Sequence, residues 1–367
     1  MGEASAGGCG LVRPRLKPAL RRVQRDAGTL QIGVHPRRAV MLSDLVPEVR
    51  ELVERLDGTR NLAQVLDNAE AKGFGKEQME TLVALLDARG LLDDAATSPE
   101  PLRPLTLAER DRLRPELDAV SLRAGVRDGG MAVLAGRREA HVRIYGAGRV
   151  GAQVAALLAA SGVGNICVVD PQAARRLDVV PGGLDWSEVG SPRHEGAVAV
   201  ARRIAPGVNA WSGARAAHLR DGAVAPDLAV LAPVSPLDAL LVDDLLERRI
   251  PHLLTSAYEG YGSVGPLVLP GRTACIHCME LTRRDRDPTW PIVAARLGGF
   301  PPGEIACDAV LSTLVAAEAT GHALAFLDGR PPIVTNSTVD VLPDWRWGQR
   351  RWDRHPQCPC TEISASR

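Results

Sequence analysis

Two short cysteine pairs, Cys275-Ile276-His277-Cys278 and Cys358-Pro359-Cys360, hold four of the chain's seven thiols. Thiolates are soft ligands, and four arranged tetrahedrally form the common structural zinc site. Each pair can span one edge of such a tetrahedron, so the spacing predicts a structural Zn2+ held by Cys275, Cys278, Cys358 and Cys360. A metal joining positions 80 residues apart in sequence would fix the C-terminal segment back onto its domain. His277 sits between two ligands and reads as a bystander. Two blander readings stand beside this one. Cys275 and Cys278 could be a redox pair, although no thioredoxin-like context surrounds them, or Cys358 and Cys360 could lie in a frayed tail. Of the other thiols, Cys167 falls in a strand-like run and reads as core, and Cys9 lies in a small-residue tail. Cys307 opens the apolar stretch 307–325. It reads as a buried core residue, since no base or cation nearby in sequence activates it as a thioester-forming nucleophile.

A second pattern is Gly146-Ala147-Gly148-Arg149-Val150-Gly151, with Asp170 nineteen residues beyond its last glycine. Gly146 permits a tight turn, Gly148 lets a phosphate approach the backbone, and Gly151 lets the following helix pack closely on a sheet. The helix N-terminus then offers unpaired amides and the positive end of its dipole to phosphate. Asp170 can accept hydrogen bonds from ribose hydroxyls. The pattern does not separate an NAD-binding site from an ATP-binding one, and glycines kept only for packing would look the same.

These residues need a particular scaffold. From residue 140 onward strands and helices alternate: strand 141–145, helix 149–160, strand 165–169, helix 195–205, strand 228–232, helix 236–249 and strand 252–256. That alternation predicts an α/β, Rossmann-like, doubly wound and mostly parallel sheet. Ahead of it, residues 14–94 read as a small winged-helix (α+β) domain. Strands at 29–34 and 39–42 are followed by helices at 46–56, 62–72 and 76–89. The proline-rich stretch 95–107 reads as a linker, and a polar helix at 108–122 leads into a second domain running to 360. Residues 1–13 read as disordered and 361–367 as a tail.

Lys plus Arg and Asp plus Glu both number 44, so no global basic field draws in nucleic acid or an anionic membrane. No apolar run of about 20 residues and no signal core is evident, which predicts a cytoplasmic protein without a membrane partner. In that reducing setting, paired cysteines point to metal rather than to disulfides.

The succession GAGRVG, SGVGNICVVDP, EVGSPRHEGAVAVARRIAP, CIHC and the distal cysteine pair resembles the ThiF/MoeB adenylyltransferase superfamily, relatives of the ubiquitin-activating enzymes, over roughly residues 108–360. The resemblance implies ATP and Mg2+ as cofactors and adenylation of the C-terminal carboxylate of a small protein or peptide. It places Gly146, Gly148 and Gly151 in the phosphate loop and makes Asp170 the ribose-binding acid. It puts Arg193, in the turn Val189-Gly190-Ser191-Pro192-Arg193, where the family has a phosphate-contacting lysine, and makes the four paired cysteines zinc ligands. The family's triphosphate-binding arginine segment has no counterpart in 171–187, where only Arg175 or Arg176 could substitute. Its Mg2+-binding aspartate falls at Ala232-Pro233-Val234-Ser235, with Asp238 three residues later. Loss of a metal-binding carboxylate weakens phosphoryl chemistry, so no catalytic residue is assigned.

Residues 23–94 resemble the PqqD-type element that recognises precursor peptides by adding a leader strand to an open sheet edge, here 29–34 or 39–42, beside the helix at 46–56. A generic winged helix or dimerisation module is the plainer alternative. The two resemblances together match the ThiF-like partners of azoline-forming peptide cyclodehydratases, in which a separate YcaO-type enzyme consumes ATP. They imply a homodimeric leader-peptide-binding protein in ribosomal peptide modification, with weak or absent adenylation. The second reading is an active adenylyltransferase for a small ubiquitin-like or sulfur-carrier protein. A third, an NAD-dependent oxidoreductase or redox sensor, leaves the cysteine pairs and the N-terminal unit unexplained.

Overall fold

The computed structural model describes residues 10–213, 224–233, 237–296 and 307–360, so Cys9, Val234, Ser235 and the tail 361–367 lie outside the described part. The chain divides into two compact units, Met1–Ala135 and Gly136–Arg367.

The first unit runs β1 (Pro14–Leu16), β2 (Arg22–Gln24), β3 (Leu30–Ile32), β4 (Val40–Leu42), α1 (Pro47–Glu54), α2 (Leu62–Ala71), α3 (Lys76–Ala88), β5 (Leu92–Asp94) and α4 (Leu107–Ser121). Alternation in β3 turns Leu30 and Ile32 inward, where they meet Leu52 and Val53 of α1 and Met79, Val83 and Leu86 of α3. Asn61 caps α2 by accepting the Gln64 amide, and Gln64 returns the bond, so the helix start is fixed locally. Strands β2, β3 and β4 form an antiparallel sheet in that order, and β1 pairs with β5.

Four sequence readings change here. Strand β3 lies between β2 and β4, so the run 29–34 is a central strand and presents no open edge; β4 does. Sequence periodicity missed β2 because Arg22, Val23 and Gln24 are all exposed and carry no apolar alternation. Residues 10–13 are ordered. Leu11 is buried, and the amides of Val12 and Arg13 donate to the Asp94 carboxylate at 2.8 and 2.9 Å. Finally, the boundary between units falls after Ala135, not in the expected linker 95–107. That stretch carries a 310 turn at Glu100–Leu102, and α4 stays with the first unit. The physical reason is Lys17, whose buried ammonium faces Asp93 at 3.5 Å and donates to the carbonyls of Ser121 and, at 2.7 Å, Val126. A buried ammonium must find such partners, and it gathers the segment after α4 to do so.

Helix α5 (Met131–Glu139) leads into the second unit: β6 (His141–Tyr145), α6 (Gly151–Ala160), β7 (Asn165–Val169), α7 (Arg193–Ile204), β8 (Asn209–Ser212), β9 (Leu228–Leu231), α8 (Ala239–Glu247), β10 (His252–Tyr258), β11 (Tyr261–Val268), α9 (Ile276–Arg286), α10 (Trp290–Arg296), α11 (Ala309–Leu327), β12 (Ser337–Val341) and β13 (Trp347–Arg351). Eight strands lie in the order β13-β12-β11-β10-β9-β6-β7-β8. From β10 to β8 they are parallel, and β11 to β13 add an antiparallel extension through a hairpin whose turn residues, Glu259 and Gly260, both have positive φ. One face packs Val142, Ile144, Leu228 and Val230 against α6, α7 and α11. The other packs Tyr145, Ala229 and Leu231 against α8 and α9. Alternate residues of one strand thus serve two cores, which is what a doubly wound sheet requires. Helix α11 is long and apolar enough to cross a membrane by length and composition alone. Here it is a core helix, with Val315, Ala316, Ala319 and Ala323 wholly buried against the sheet.

Strand β10 opens with His252, which is completely buried with its Nδ1 3.0 Å from the Ile250 carbonyl. Burial pushes its imidazole down to about 4, a fall that the Ile250 contact only partly offsets. The unfolded chain, with an ordinary value near 6.5, therefore binds a proton that the folded chain refuses. Stability should be full above about pH 6.5 and fall as pH drops toward 4, by about 3 kcal/mol at the low end. Urea titrations across that range measure the slope, and His252→Phe should flatten it.

Candidate functional site

The glycine loop sits at the carboxyl end of β6, a strand whose five residues are all buried. Gly146 has φ of +94°, and a Cβ there would lie 2.0 Å from the Ala232 carbonyl oxygen. A Cβ on Gly151 would lie 1.9 Å from the Gly146 oxygen. Both glycines are thus demanded by packing, the first against the end of β9 and the second between helix and loop. The first bond of α6 runs from the Ala152 amide to the Gly148 carbonyl at 3.1 Å, so the amides of 148–151 have no acceptor within the helix. This is the arrangement that accepts a phosphate.

Asp170 follows β7 and faces the loop. Its Oδ2 accepts the Ala147 amide at 2.8 Å, its Oδ1 accepts the Gln172 amide at 3.2 Å, and its carbonyl accepts the His194 amide at 3.1 Å. The acid is largely buried, so part of its capacity holds the loop itself in shape. Arg193 is fully buried at the start of α7. Its Nε donates to Asp178 at 2.9 Å and its Nη1 to the Gln172 side chain at 3.0 Å, with Asp170 3.7 Å away. Its buried Nη2 has no partner among the described residues. The structure therefore brings Gly146, Gly148, Gly151, Asp170 and Arg193 to one corner, as the sequence order requires.

Sequence reasoning missed the residues that organise this corner. Asp178 lies in the 310 turn Arg176–Asp178, within the stretch that matches no family motif. Burial pushes its carboxyl up, but hydrogen bonds from Arg175 and Arg193 more than reverse this and hold it below the usual carboxylate range. Arg175, one of two candidates for a triphosphate contact, engages Asp178 through its amide and guanidinium, and Arg176 is exposed. Arg149 of the glycine loop donates to the carbonyls of Leu177 and Val179 at 2.7 and 3.1 Å and so fixes the same turn. Cys307 departs from its expected place in the buried core. The helix starts at Ala309 behind Asp308, which caps the Val310 and Leu311 amides, and Cys307 is half-buried outside it. Burial raises its thiol, and the nearby Arg149 guanidinium works in the opposite direction.

At the end of β9 the described residues Leu231, Ala232 and Pro233 supply no carboxylate. Asp238 spends its Oδ1 on the Leu240 amide at 2.9 Å, capping α8.

The four paired cysteines converge. Their Sγ atoms all lie within 4.8 Å of one another and all four residues are buried. Cys275 to Cys278 is 3.7 Å, Cys275 to Cys358 3.5 Å and Cys278 to Cys360 3.4 Å. A tetrahedral zinc with bonds of about 2.3 Å needs edges of about 3.8 Å, so the cluster fits a metal ion with little movement. Cys275 and Cys278 occupy the start of α9, and the His355 amide donates to the Cys278 sulfur at 3.3 Å. Contact with Cys275 pushes the Cys278 thiol down to about 4, whereas burial pushes Cys360 up to about 12. Four such sulfurs cannot all ionise against one another without a cation among them. His277 points away, to Asp243 at 2.8 Å, which accords with its bystander reading.

A Rossmann-type sheet with a glycine loop at a strand end and a cluster of four thiols able to hold a metal ion defines a class of proteins with a nucleotide-binding fold. The ThiF family profile matches residues 124–360, and the chain belongs to that family. No curated protein sequence matches the chain. Among solved structures, it is similar to the crystal structure of Escherichia coli MccB with succinimide, at 16% identity and a TM-score of 0.71 over 96% of this chain and 99% of that one. The structure of the microcin C7 biosynthetic enzyme MccB in complex with N-formylated MccA matches at 15% identity and a TM-score of 0.71, over 95% and 99%. Selenomethionine PaaA matches at 18% identity and 0.69, over 92% and 100%.

Proposed function

We propose that this protein binds ATP at the glycine loop and a precursor peptide at its N-terminal unit. In this reading it serves ribosomal peptide modification as a homodimeric leader-binding partner of a YcaO-type enzyme, with weak or no adenylation of its own. One observation carries the binding half. The similarity to MccB spans both units of this chain, and MccB has been solved with ATP and, separately, with AMPCPP together with MccA. The corner formed by Gly146, Asp170 and Arg193 supports the nucleotide assignment, since Arg193 keeps a buried N–H donor without a partner beside the loop. Structural Zn2+ at Cys275, Cys278, Cys358 and Cys360 belongs to the same reading.

The catalytic half rests on the end of β9. Without a carboxylate at Ala232 or Pro233, and with Asp238 capping α8, the chain offers Mg2+ no evident anchor there, and Arg175 is turned to Asp178. The chemistry assigned to these residues is therefore binding. The loop amides and Arg193 receive phosphates, and Asp170 receives a ribose while holding Ala147.

The alternative, an active ATP-dependent adenylyltransferase, has the full-length similarity to the enzyme MccB in its favour. ATP–pyrophosphate exchange separates the two. The proposal expects ATP binding by calorimetry that weakens in Arg193→Ala, with exchange at background whether or not a precursor peptide or carrier protein is supplied. Robust exchange with either acceptor would establish the alternative instead, and failure to bind ATP at all would remove both.

A further inference from the structure

The first unit has a cleft of about 540 Å3 lined by His35, Arg37, Arg38, Ala39, Val40 and Arg89. Three guanidiniums and an imidazole face it, and no carboxylate lines it. Arg37, Arg38 and Arg89 are exposed and form no ion pair among the described residues. Three unpaired cations around one hollow repel one another, an arrangement that an anionic occupant relieves.

The cleft opens onto the start of β4, an edge strand. The amide of Gly33 donates to Arg21 at 2.7 Å and that of Arg25 to Thr29 at 3.0 Å, which sets the alternation of the β2–β3 ladder. Thr29, Gln31 and Gly33 thus turn their backbone groups to β2, and Leu30 and Ile32 turn theirs to β4, opposite Leu42 and Val40. The remaining β4 residue, Met41, directs its amide and carbonyl outward, and its side chain is 57% exposed. Open backbone groups of this kind pair with another extended polypeptide, and a phosphodiester chain has no matching ladder. Beyond β4 the charge reverses, with exposed Asp44 and then Glu48.

We infer that the peptide recognised by this unit carries an acidic segment. An extended strand pairs with Met41, and two or more Asp or Glu residues on one side of that strand enter the cleft between Arg37, Arg38 and Arg89. The opposite end, beside Asp44 and Glu48, takes neutral or basic residues. This inference rests on the proposed peptide-binding role and adds the chemistry of the ligand and the direction in which it lies.

The test is selection of a displayed library of random peptides, roughly 15 residues long, on the full-length chain. Parallel selections use Met41→Pro and the triple variant Arg37→Glu/Arg38→Glu/Arg89→Glu. Wild-type winners should share a β-prone run flanked on one side by acidic residues. Their affinity should drop ~tenfold or more in the triple variant and with added salt. The triple variant should itself enrich basic residues at the same offset. β-Prone winners without acidic bias, lost in Met41→Pro, would overturn the acidic inference and leave peptide binding standing. Acidic winners indifferent to Met41→Pro would mark unspecific polyanion capture and overturn it as well. Absence of any winner would remove the inference together with the peptide-binding role.

Discussion

Removing the metal from the cysteine centre should produce the largest change available in this protein. Purified chain is expected to carry one zinc by elemental analysis, and Cys278→Ser or Cys360→Ser should carry essentially none. Four buried thiols at 3.4–3.7 Å along three of their edges are a poor cluster without a cation, because burial and mutual repulsion oppose the ionised form each prefers as a ligand. Structural zinc in small domains is worth roughly 10–16 kcal/mol of apparent binding energy, much of it folding energy. Here the large sheet has its own core, so the loss should concentrate on what the metal holds. That is the segment after β13, where Trp352 packs at 3% exposure with its indole N–H donating to Thr338 at 2.7 Å. Chelation should raise the proteolytic sensitivity of residues 352–360 first, followed by a lowered melting temperature. Full retention of both in the metal-free chain would show that the thiols pack as an apolar cluster.

Gly146→Ala should be the most damaging substitution in the nucleotide corner, by more than about 4 kcal/mol of stability and with loss of ATP binding. The new methyl group would stand 2.0 Å from the Ala232 carbonyl oxygen, which belongs to backbone and cannot swing aside. It would also sit at φ of +94°, where an L-residue is strained. Gly190→Ala separates the two contributions. Gly190 has φ of +93° but nothing within 4 Å of its would-be Cβ, so that variant pays the conformational term alone, about 1–2 kcal/mol. Chemical denaturation of the pair measures the difference. Equal stabilities would mean that the loop and the end of β9 are not in close contact. A displaced loop would also pull the Ala147 amide from Asp170, which links the stability loss to the loss of nucleotide.

Much of the site was legible before any coordinates. The glycine spacing, the acid nineteen residues on and the two cysteine pairs are short-range patterns, each governed by the geometry of one turn or one helix start. Alternating strands and helices likewise gave four of the five parallel strands, because apolar strands buried on two faces read as continuous hydrophobic runs, whereas the edge strand β8 begins at exposed Asn209 and carries no such run. The antiparallel extension did not show. Strand β13 is mostly exposed, and its hairpin turn at Leu342–Arg346 has no simple dipeptide signal. Strand β2 is exposed along its length and offers no apolar alternation, and β1 and β5 pair with each other from distant parts of the first unit, which no local pattern announces.

Chain order alone determined that this protein has a glycine turn between a strand and a helix, thiols able to share a metal, and a small unit ahead of a larger one. Tertiary structure decided which groups stay free. It tied Arg175 and one side of Arg193 to Asp178, assigned Asp238 to a helix cap, placed β3 in the middle of its sheet and left β4 open. Partner choice among charges and strand edges depends on which distant segments arrive beside them, and that is settled by packing, not by neighbours in sequence.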